Sequence, residues 1–323
     1  MRLLVVIVNY RTADLTIDCL KSLRNEIATI PDARVVVTDN ASPDDSAERL
    51  SQWVGSCNWH EPVTFIPLER NCGFAAGNNA AIRPAIYSGD PPHYVLLLNP
   101  DTIVRPGGVR ALVDFMDKHP AAGVAGSRLE HLDAQPQRSA FRFPTPLSEL
   151  EEGTRIGCLT RLLSRRVVAP PPPSDACAVD WVAGASMMVR KEVFEKIGLL
   201  DEGYFMYYEE VDFCLRARRA GFGCWYVPQS RVVHLVGQSS GVTDARLLRR
   251  RRPAYWFESR RRFFLTHYGR ARTFLADLMW AAGIAQWRIR RLALGQADPD
   301  PERMLSDFLR HNFLAPARQR SAQ

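Results

Sequence analysis

The stretch Leu3-Leu4-Val5-Val6-Ile7-Val8, closed by Asn9 and Tyr10, decides the fold together with the neighbouring segment Thr12 to Leu23, which carries Leu15, Cys19, Leu20 and Leu23 at helical spacing. An unbroken run of leucine and β-branched residues predicts a strand covered on both faces, and the spaced apolar residues predict a helix lying on it. The unit recurs. Arg34 to Thr38 reads as a second strand, and Ser42-Pro43 as an N-cap followed by a first-turn proline, opening a helix to about Trp53. Val63 to Pro67 and Tyr94 to Leu98 read as further strands; Ala75 to Tyr87, where Pro84 threatens a break, and Gly107 to Lys118 read as helices. Such alternation predicts an α/β fold with a mostly parallel central sheet, right-handed crossovers and ligands at the carboxyl ends of the strands. Asn9 and Tyr10, Asp39 and Asn40, and Asn99 and Asp101 fall at those ends.

From Ala134 to Cys177 the periodicity dissolves among Pro136, Pro144, Pro146 and Pro170 to Pro173, which predicts a mobile excursion with one short helix at most. Regular structure resumes at Val179. A helix is expected over Arg190 to Ile197, another over Glu209 to Ala220, and strands over Gly223 to Val227 and Val232 to Leu235; residues beyond about Ala315 read as disordered.

With 323 residues the chain can bury a sizeable core without staples, and its seven cysteines show neither a C-x-x-C pair nor zinc spacing. No run of about 18 apolar residues is present, so a reduced, cytoplasmic protein is expected. The formal charge of +7 is concentrated late: Arg246, Arg249 to Arg252, Arg260 to Arg262, Arg270, Arg272, Arg288, Arg290 and Arg291 face only Glu258 and Asp277. Such an excess implies an anionic partner, and nucleic acid is set aside because no nucleic-acid module signature accompanies the arginines. Phe274 to Trp287 is apolar and aromatic and runs into Arg288, Arg290 and Arg291, as in a helix lying on an anionic membrane surface; the alternative is a packed terminal helix with a solvated basic end.

The chemistry-bearing residues cluster at strand ends and one helix start. Asp39 can accept a hydrogen bond from a pyrimidine ring N–H, or serve as a turn residue. Arg70 to Asn79 joins glycines to amides at a helix start and can hold a base, ribose or phosphate, or merely pack. Asp101 can bind Mg²⁺ or Mn²⁺ beside a diphosphate; His234 is either a second ligand, tilting the choice toward Mn²⁺, or structural. Glu209, Glu210 and Asp212 crowd a helix N-terminus, where acids are also favoured by the dipole alone, and Asp212 can pair with Arg216. Glu210 is the better general base because two neighbouring acids raise its proton affinity. Val182 to Arg190, a strand with small residues at its tip, can build a sugar pocket beside that base, and Tyr204 to Tyr208 can form a sugar platform or pack.

Six segments carry a resemblance: VIVNYR from Val6, TDNASPD from Thr38, RNCGFAAGNN from Arg70, LLLNPDT from Leu96, the stretch from Asp180 to Phe222 and VVHLVGQSS from Val232. Over roughly residues 2–270 the chain resembles family 2 glycosyltransferases of the GT-A fold, in the subgroup of bacterial rhamnosyltransferases. The resemblance implies a Rossmann-like sheet with a helical C-terminal extension. Residues 1–130 would bind the nucleotide sugar, 131–240 would carry the acceptor and catalytic half, and 241–315 would form a basic helical region. It further implies that Tyr10, Asp39 and Asn71 surround the base, with Arg11 and Gly73 in the same donor-binding group, that Asn99 sits near the ribose, and that Asp101 binds the metal. Asn99 stands where many relatives have the first carboxylate of an Asp-x-Asp motif, which makes His234 more important. Glu210 would be the base, Glu209 would hold an acceptor hydroxyl or exchange roles with it, and Trp181, Gly184 and Ala185 would line the acceptor side. The expected reaction is inverting transfer of L-rhamnose from dTDP-rhamnose to a polyprenyl-diphosphate-linked or cell-envelope glycan, on the inner face of the cell membrane. A nucleotidyltransferase would need a basic glycine-rich loop early on, whereas Asn9-Tyr10-Arg11-Thr12 runs straight into a helix. A non-catalytic nucleotide- or glycan-binding module is the other alternative.

Overall fold

The computed structural model describes residues 1–57, 59, 63–235 and 251–314. Residues 236–240 of the VVHLVGQSS segment, Arg246, Arg249 and Arg250, and the tail beyond about Ala315 lie outside the described residues. Two compact units form: Met1–Phe143 with Ala169–Val242, and Pro144–Val168 with Thr243–Gln323.

The first unit is built on a nine-stranded sheet. Its strands are β1 (Leu3–Asn9), β2 (Ala33–Asp39), β3 (Val63–Pro67), β4 (Tyr94–Leu98), β5 (Thr102–Val104) and β6 (Ala122–Glu130). The short β7 (Ala140–Phe141) comes next, then β8 (Cys177–Val179), β9 (Trp181–Val182), β10 (Ser186–Arg190) and β11 (Gly223–His234). The order is β3-β2-β1-β4-β10-β6-β11-β5, with β8 on β11 and with β7 and β9 paired apart from the sheet. Strands β1 to β4, β6 and β11 run one way; β10, β5 and β8 run the other, so the sheet is mostly parallel.

Every residue of β1 and β4 is buried, as their unbroken apolar runs require for central strands between two helical layers. The flanking helices are α1 (Ala13–Ala28), α2 (Ser46–Ser56), α3 (Gly73–Ile86) and α4 (Gly108–Lys118). Leu20 and Leu23 of α1 join Val5, Ile7, Leu96 and Leu98 in the main core. Gly77 lets α3 lie close on β1: a Cβ there would sit 2.7 Å from Val8 Cγ1.

Four expectations are corrected. Pro84 does not break α3, because it falls in the last turn, where few intrahelical bonds remain to lose, and the helix continues to Ile86. Ser42 is not an N-cap: α2 starts at Ser46 behind Asp45, and Ser42 is engaged by Asp39 instead. The two late strands are one, β11, continuous across a register shift between Val227 and Arg231. The stretch 134–177 holds more than the one short helix expected of it: β7, α5 (Pro146–Thr154), α6 (Gly157–Leu162) and a 3-10 turn over Ser164–Arg166. Helix α5 opens on a capping box in which Ser148 N–H donates to Thr145 Oγ1 (3.2 Å) and Thr145 N–H donates to Ser148 Oγ (2.7 Å). Of the prolines that suggested a loop, Pro146 is in the first turn of α5, where its missing N–H is not needed.

Further along the first unit, α7 (Lys191–Ile197) and α8 (Glu209–Arg219) precede β11. In the second unit α5 packs against α9 (Ala254–Ala293), which kinks at Gly269 (φ 75°) into two helical halves, and α10 (Met304–Leu309) comes after it. Arg260 is buried there between Glu149 (2.6 Å) and Asp277 (2.5 Å), its guanidinium over the rings of Phe264 and Phe308. Burial drives both carboxyls upward and the Arg260 charge draws them back.

Candidate active site

The carboxyl end of β1 supplies a hub that the sequence marks only as a strand end. Asn9 is fully buried; its Oδ1 accepts from Thr12 N–H, Thr12 Oγ1 and Thr16 Oγ1, while its Nδ2 donates to Asp39 Oδ1 at 2.6 Å. Asp39 also accepts Ser42 Oγ (2.7 Å) on Oδ1 and Ser42 N–H (2.9 Å) on Oδ2. Its carboxylate is therefore both a turn residue and a rigidly aimed acceptor, with lone-pair capacity left on Oδ2. Arg11 N–H donates to the same Ser42 Oγ (2.9 Å), its backbone left-handed at φ 59°, and Tyr10 is exposed beside it. The signal that could have found Asn9 was an amide at the end of a strand otherwise wholly apolar.

The segment Arg70 to Asn79 closes differently from expectation. Asn71 Oδ1 accepts Gly73 N–H (3.0 Å), so part of this side chain shapes the turn. Gly73 has φ 90°, and a Cβ on it would lie 2.0 Å from the Phe205 carbonyl oxygen, which accepts Phe74 N–H at 2.8 Å. Glycine is thus demanded twice, by dihedral and by contact. The Asn79 amide is spent on protein, donating to Leu200 O and Glu202, whereas Asn78 donates its Nδ2 to Phe74 O and leaves a buried Oδ1 without a partner among the described residues.

Phe205 leads into the carboxylate cluster. Tyr207 and Tyr208 both have left-handed backbones (φ 70° and 68°), and Tyr208 caps α8. Strain of this kind costs on the order of 1–3 kcal/mol per residue and persists where the surroundings fix it. Glu209 and Glu210 each present a buried Oε2 with no hydrogen-bond partner among the described residues. Burial pushes Glu210 up to about 7, with the helix-start N–H groups pulling the other way. Glu209 is driven well above the usual carboxylate range by burial and then by the charge of Glu210. The cause differs from the expected one, since burial rather than the neighbouring acids dominates at Glu210. Asp212 is taken up structurally, paired with Arg216 at 2.7 Å as its spacing suggested.

The tip of β10 ties this helix to the strand ends. A Cβ on Gly184 would stand 3.7 Å from Glu210 Cβ and 3.6 Å from the Phe74 ring, and the next carbonyl, Ala185 O, accepts Asn99 N–H at 3.0 Å. Asn99 Oδ1 is buried without a partner among the described residues. Two residues on, buried Asp101 has Oδ1 3.5 Å from His234 Nε2, across the pairing of β5 with β11. Two ligand atoms that close can share one cation at ligand distances of about 2.0–2.1 Å; the carboxylate suits Mg²⁺ or Mn²⁺, and the imidazole tilts the choice toward Mn²⁺. No group of three or more His, Cys, Asp or Glu side chains gathers for a metal among the described residues, so remaining positions would fall to ligand and water. Trp181, on β9 against α8, stacks on Phe141 (centroids 4.1 Å apart, planes 14°) and donates its indole N–H to Arg142 O.

Comparison with known proteins identifies the family and the fold. A low-salt glycan biosynthesis hexosyltransferase of Haloferax volcanii is 33% identical over 67% of this chain and 61% of its own length. The N-acetylglucosaminyl-diphospho-decaprenol L-rhamnosyltransferase of Mycobacterium tuberculosis is 28% identical over 68% of this chain and 72% of its own. The chain therefore spans less than two thirds of the Haloferax protein. Among solved structures, the Pyrobaculum calidifontis mannosyltransferase PcManGT with GDP-Man and Mn²⁺ superposes with TM-score 0.53 at 16% identity, covering 92% of this chain and 76% of that one. GalNAc-T7 with UDP, GalNAc and Mn²⁺ gives 0.55 at 16% identity, over 72% and 44%. These likenesses identify the fold as GT-A. The family model for glycosyl transferase family 2 matches residues 4–169, and that for glycosyl transferase family group 2 matches residues 94–299. With the first covering more than half of its length, the chain belongs to glycosyl transferase family 2.

Proposed function

We propose that the chain is an inverting glycosyltransferase with Glu210 as general base and with Asp101 and His234 holding a divalent cation, Mg²⁺ or Mn²⁺, at the donor diphosphate. The observation that carries this reading is the Glu210 carboxyl, whose buried Oε2 has no hydrogen-bond partner among the described residues and which burial pushes up to about 7, beside Gly184 and one residue from the Ala185–Asn99 link to the Asp101 edge. Glu210 takes the acceptor hydroxyl proton as that oxygen attacks the anomeric carbon. The bond from that carbon to the diphosphate oxygen breaks on the opposite face, and configuration inverts. Glu209, kept protonated by burial, donates a hydrogen bond to the acceptor and orients it. Bound at Asp101 and His234, the cation would supply Lewis-acid stabilisation of the departing charge.

Asp39, aimed by Asn9 and Ser42, receives the pyrimidine N–H, with Tyr10, Arg11, Asn71 and Gly73 around the base and Asn99 near the ribose. Trp181 on Phe141 gives the acceptor sugar an aromatic face beyond Gly184 and Ala185. The donor is dTDP-L-rhamnose and the acceptor a polyprenyl-diphosphate-linked or cell-envelope glycan, a reading supported by the activity named for the mycobacterial relative. Thermal shift with nucleotide sugars and Mn²⁺, then assay of dTDP release with a prenyl-diphosphate-linked amino sugar, tests it. Stabilisation by dTDP-rhamnose above UDP- and GDP-sugars, with release abolished by Glu210→Gln, is expected. Absence of both sinks the proposal.

A further inference from the structure

We infer that the second half of α9, residues 270–293, docks in the plane of an anionic membrane surface through a single exposed apolar stripe. Phe274, Leu278, Ile289 and Leu292 are 58, 49, 69 and 82% exposed. At 100° per residue they fall within about 60° of one another around the helix and extend for about 27 Å along it. The opposite face, Thr273, Ala276, Trp280, Gly283 and Ile284, is buried. The apolar segment Phe274 to Trp287 thus does two jobs: one side packs into the core of its unit, and the other, continued to Leu292, is left to solvent. Between Leu278 and Ile289 the line is carried only by Ala282 and Ala285, so two pairs of large side chains share one side of the helix, which still differs from singly scattered surface apolar groups.

The flanking charges indicate the occupant. Arg270 and Arg288 fall on one shoulder of the stripe, about 40° from its edge, within reach of a headgroup plane when the apolar side chains enter the acyl boundary, whereas Arg272 and Arg290 lie beside the buried face, where Arg290 donates to Arg155 O at 3.0 Å. The only acid in residues 270–293 is Asp277, which is buried against Arg260. Arg288 also meets Asp298 at 2.9 Å, so Arg270 is the sharper probe of headgroup contact. A second copy of the chain pairing stripe to stripe would bring arginine shoulders together, whereas anionic headgroups complement that shoulder. The helix lies on the surface rather than crossing it, since no helix among the described residues is long and apolar enough to span a membrane. Membrane docking of this kind is independent of the sugar-transfer chemistry.

Flotation of the full chain with phosphatidylglycerol-containing and with pure phosphatidylcholine vesicles tests it, without any need for activity. Binding to the anionic vesicles that weakens with salt is expected. Arg270→Gln should lower the affinity about fivefold, and Arg272→Gln, on the far side of the helix, should lower it less. Phe274→Glu with Leu278→Glu should lower it at least about tenfold, since four buried methylene equivalents exceed that. These positions are exposed, so an unchanged melting curve and unchanged donor hydrolysis in solution establish that the variants remain folded. Failure to float at low salt, flotation unaffected by the Phe274→Glu/Leu278→Glu pair, or a dimer in sedimentation that this pair dissociates would each overturn the proposal, the last by assigning the stripe to self-association.

Discussion

Replacing Glu210 with Gln should trade activity for stability, and both sides of the trade arise from one buried carboxyl. Burial moves Glu210 from its ordinary range to about 7. A carboxyl whose folded pKa is raised costs stability progressively as pH rises from its unfolded to its folded value, and the full penalty stands above the latter. Shifting from about 4.5 to about 7 corresponds to about 3 kcal/mol at pH 8, shrinking below about 1 kcal/mol by pH 5. Burying the glutamine amide, with fewer partners than it has in water, costs part of this, which leaves a net gain of up to about 2 kcal/mol at pH 8. Chemical denaturation of wild type and Glu210→Gln at pH 5 and pH 8 reads this difference directly, alongside turnover, which should fall at least about 100-fold because proton transfer contributes that much. In the wild type, kcat/KM should rise as pH passes upward through about 7, as the base loses its proton. A variant no more stable than wild type at pH 8, or one that retains near-normal turnover, would refute the reasoning and shift the role to Glu209.

Gly73→Ala should cost about 2–4 kcal/mol in thermal unfolding, because it combines a left-handed backbone with a Cβ against the Phe205 carbonyl. Asp101→Ala should abolish the strengthening of dTDP binding by Mn²⁺ in calorimetric titration while leaving the melting temperature nearly unchanged; equal titrations in both proteins would remove the metal role from this residue. Arg260→Met should destabilise by about 3–5 kcal/mol at pH 8 and much less at pH 5, since Glu149 and Asp277, already raised by burial, can then take up protons; a pH-independent loss would show that packing under Phe264 and Phe308 matters more than charge.

The sheet was legible because β1 and β4 announce themselves as buried strands and their polar ends mark where ligands sit. What escaped was set by tertiary contact. Asn9 looked like a strand terminus, yet its amide is what aims Asp39, and only the parallel register Asn9↔Asp39 brings them side by side. Ser42 before Pro43 satisfied the local rule for a helix start, but the nearby Asp39 carboxylate competed for its hydroxyl and backbone N–H, and the helix began later. Thr145-Pro146-Leu147-Ser148 carried a readable start signal for α5 that the surrounding prolines masked. Glu210 was picked out by its place at a helix start, whereas the burial that sets its proton affinity depends on Gly184 and Phe74 arriving from elsewhere in the chain.

The central claim is that the Asp101–His234 edge and the Glu210 helix serve one donor site. Anomalous diffraction from crystals soaked with MnCl₂ and dTDP tests it most directly. The account predicts a manganese peak at coordination distance from the Asp101 carboxylate and His234 Nε2, with the diphosphate on it and Asp39 at the thymine ring. Manganese held by Glu209 and Glu210, or nucleotide bound away from Asp39 and Asp101, would contradict it.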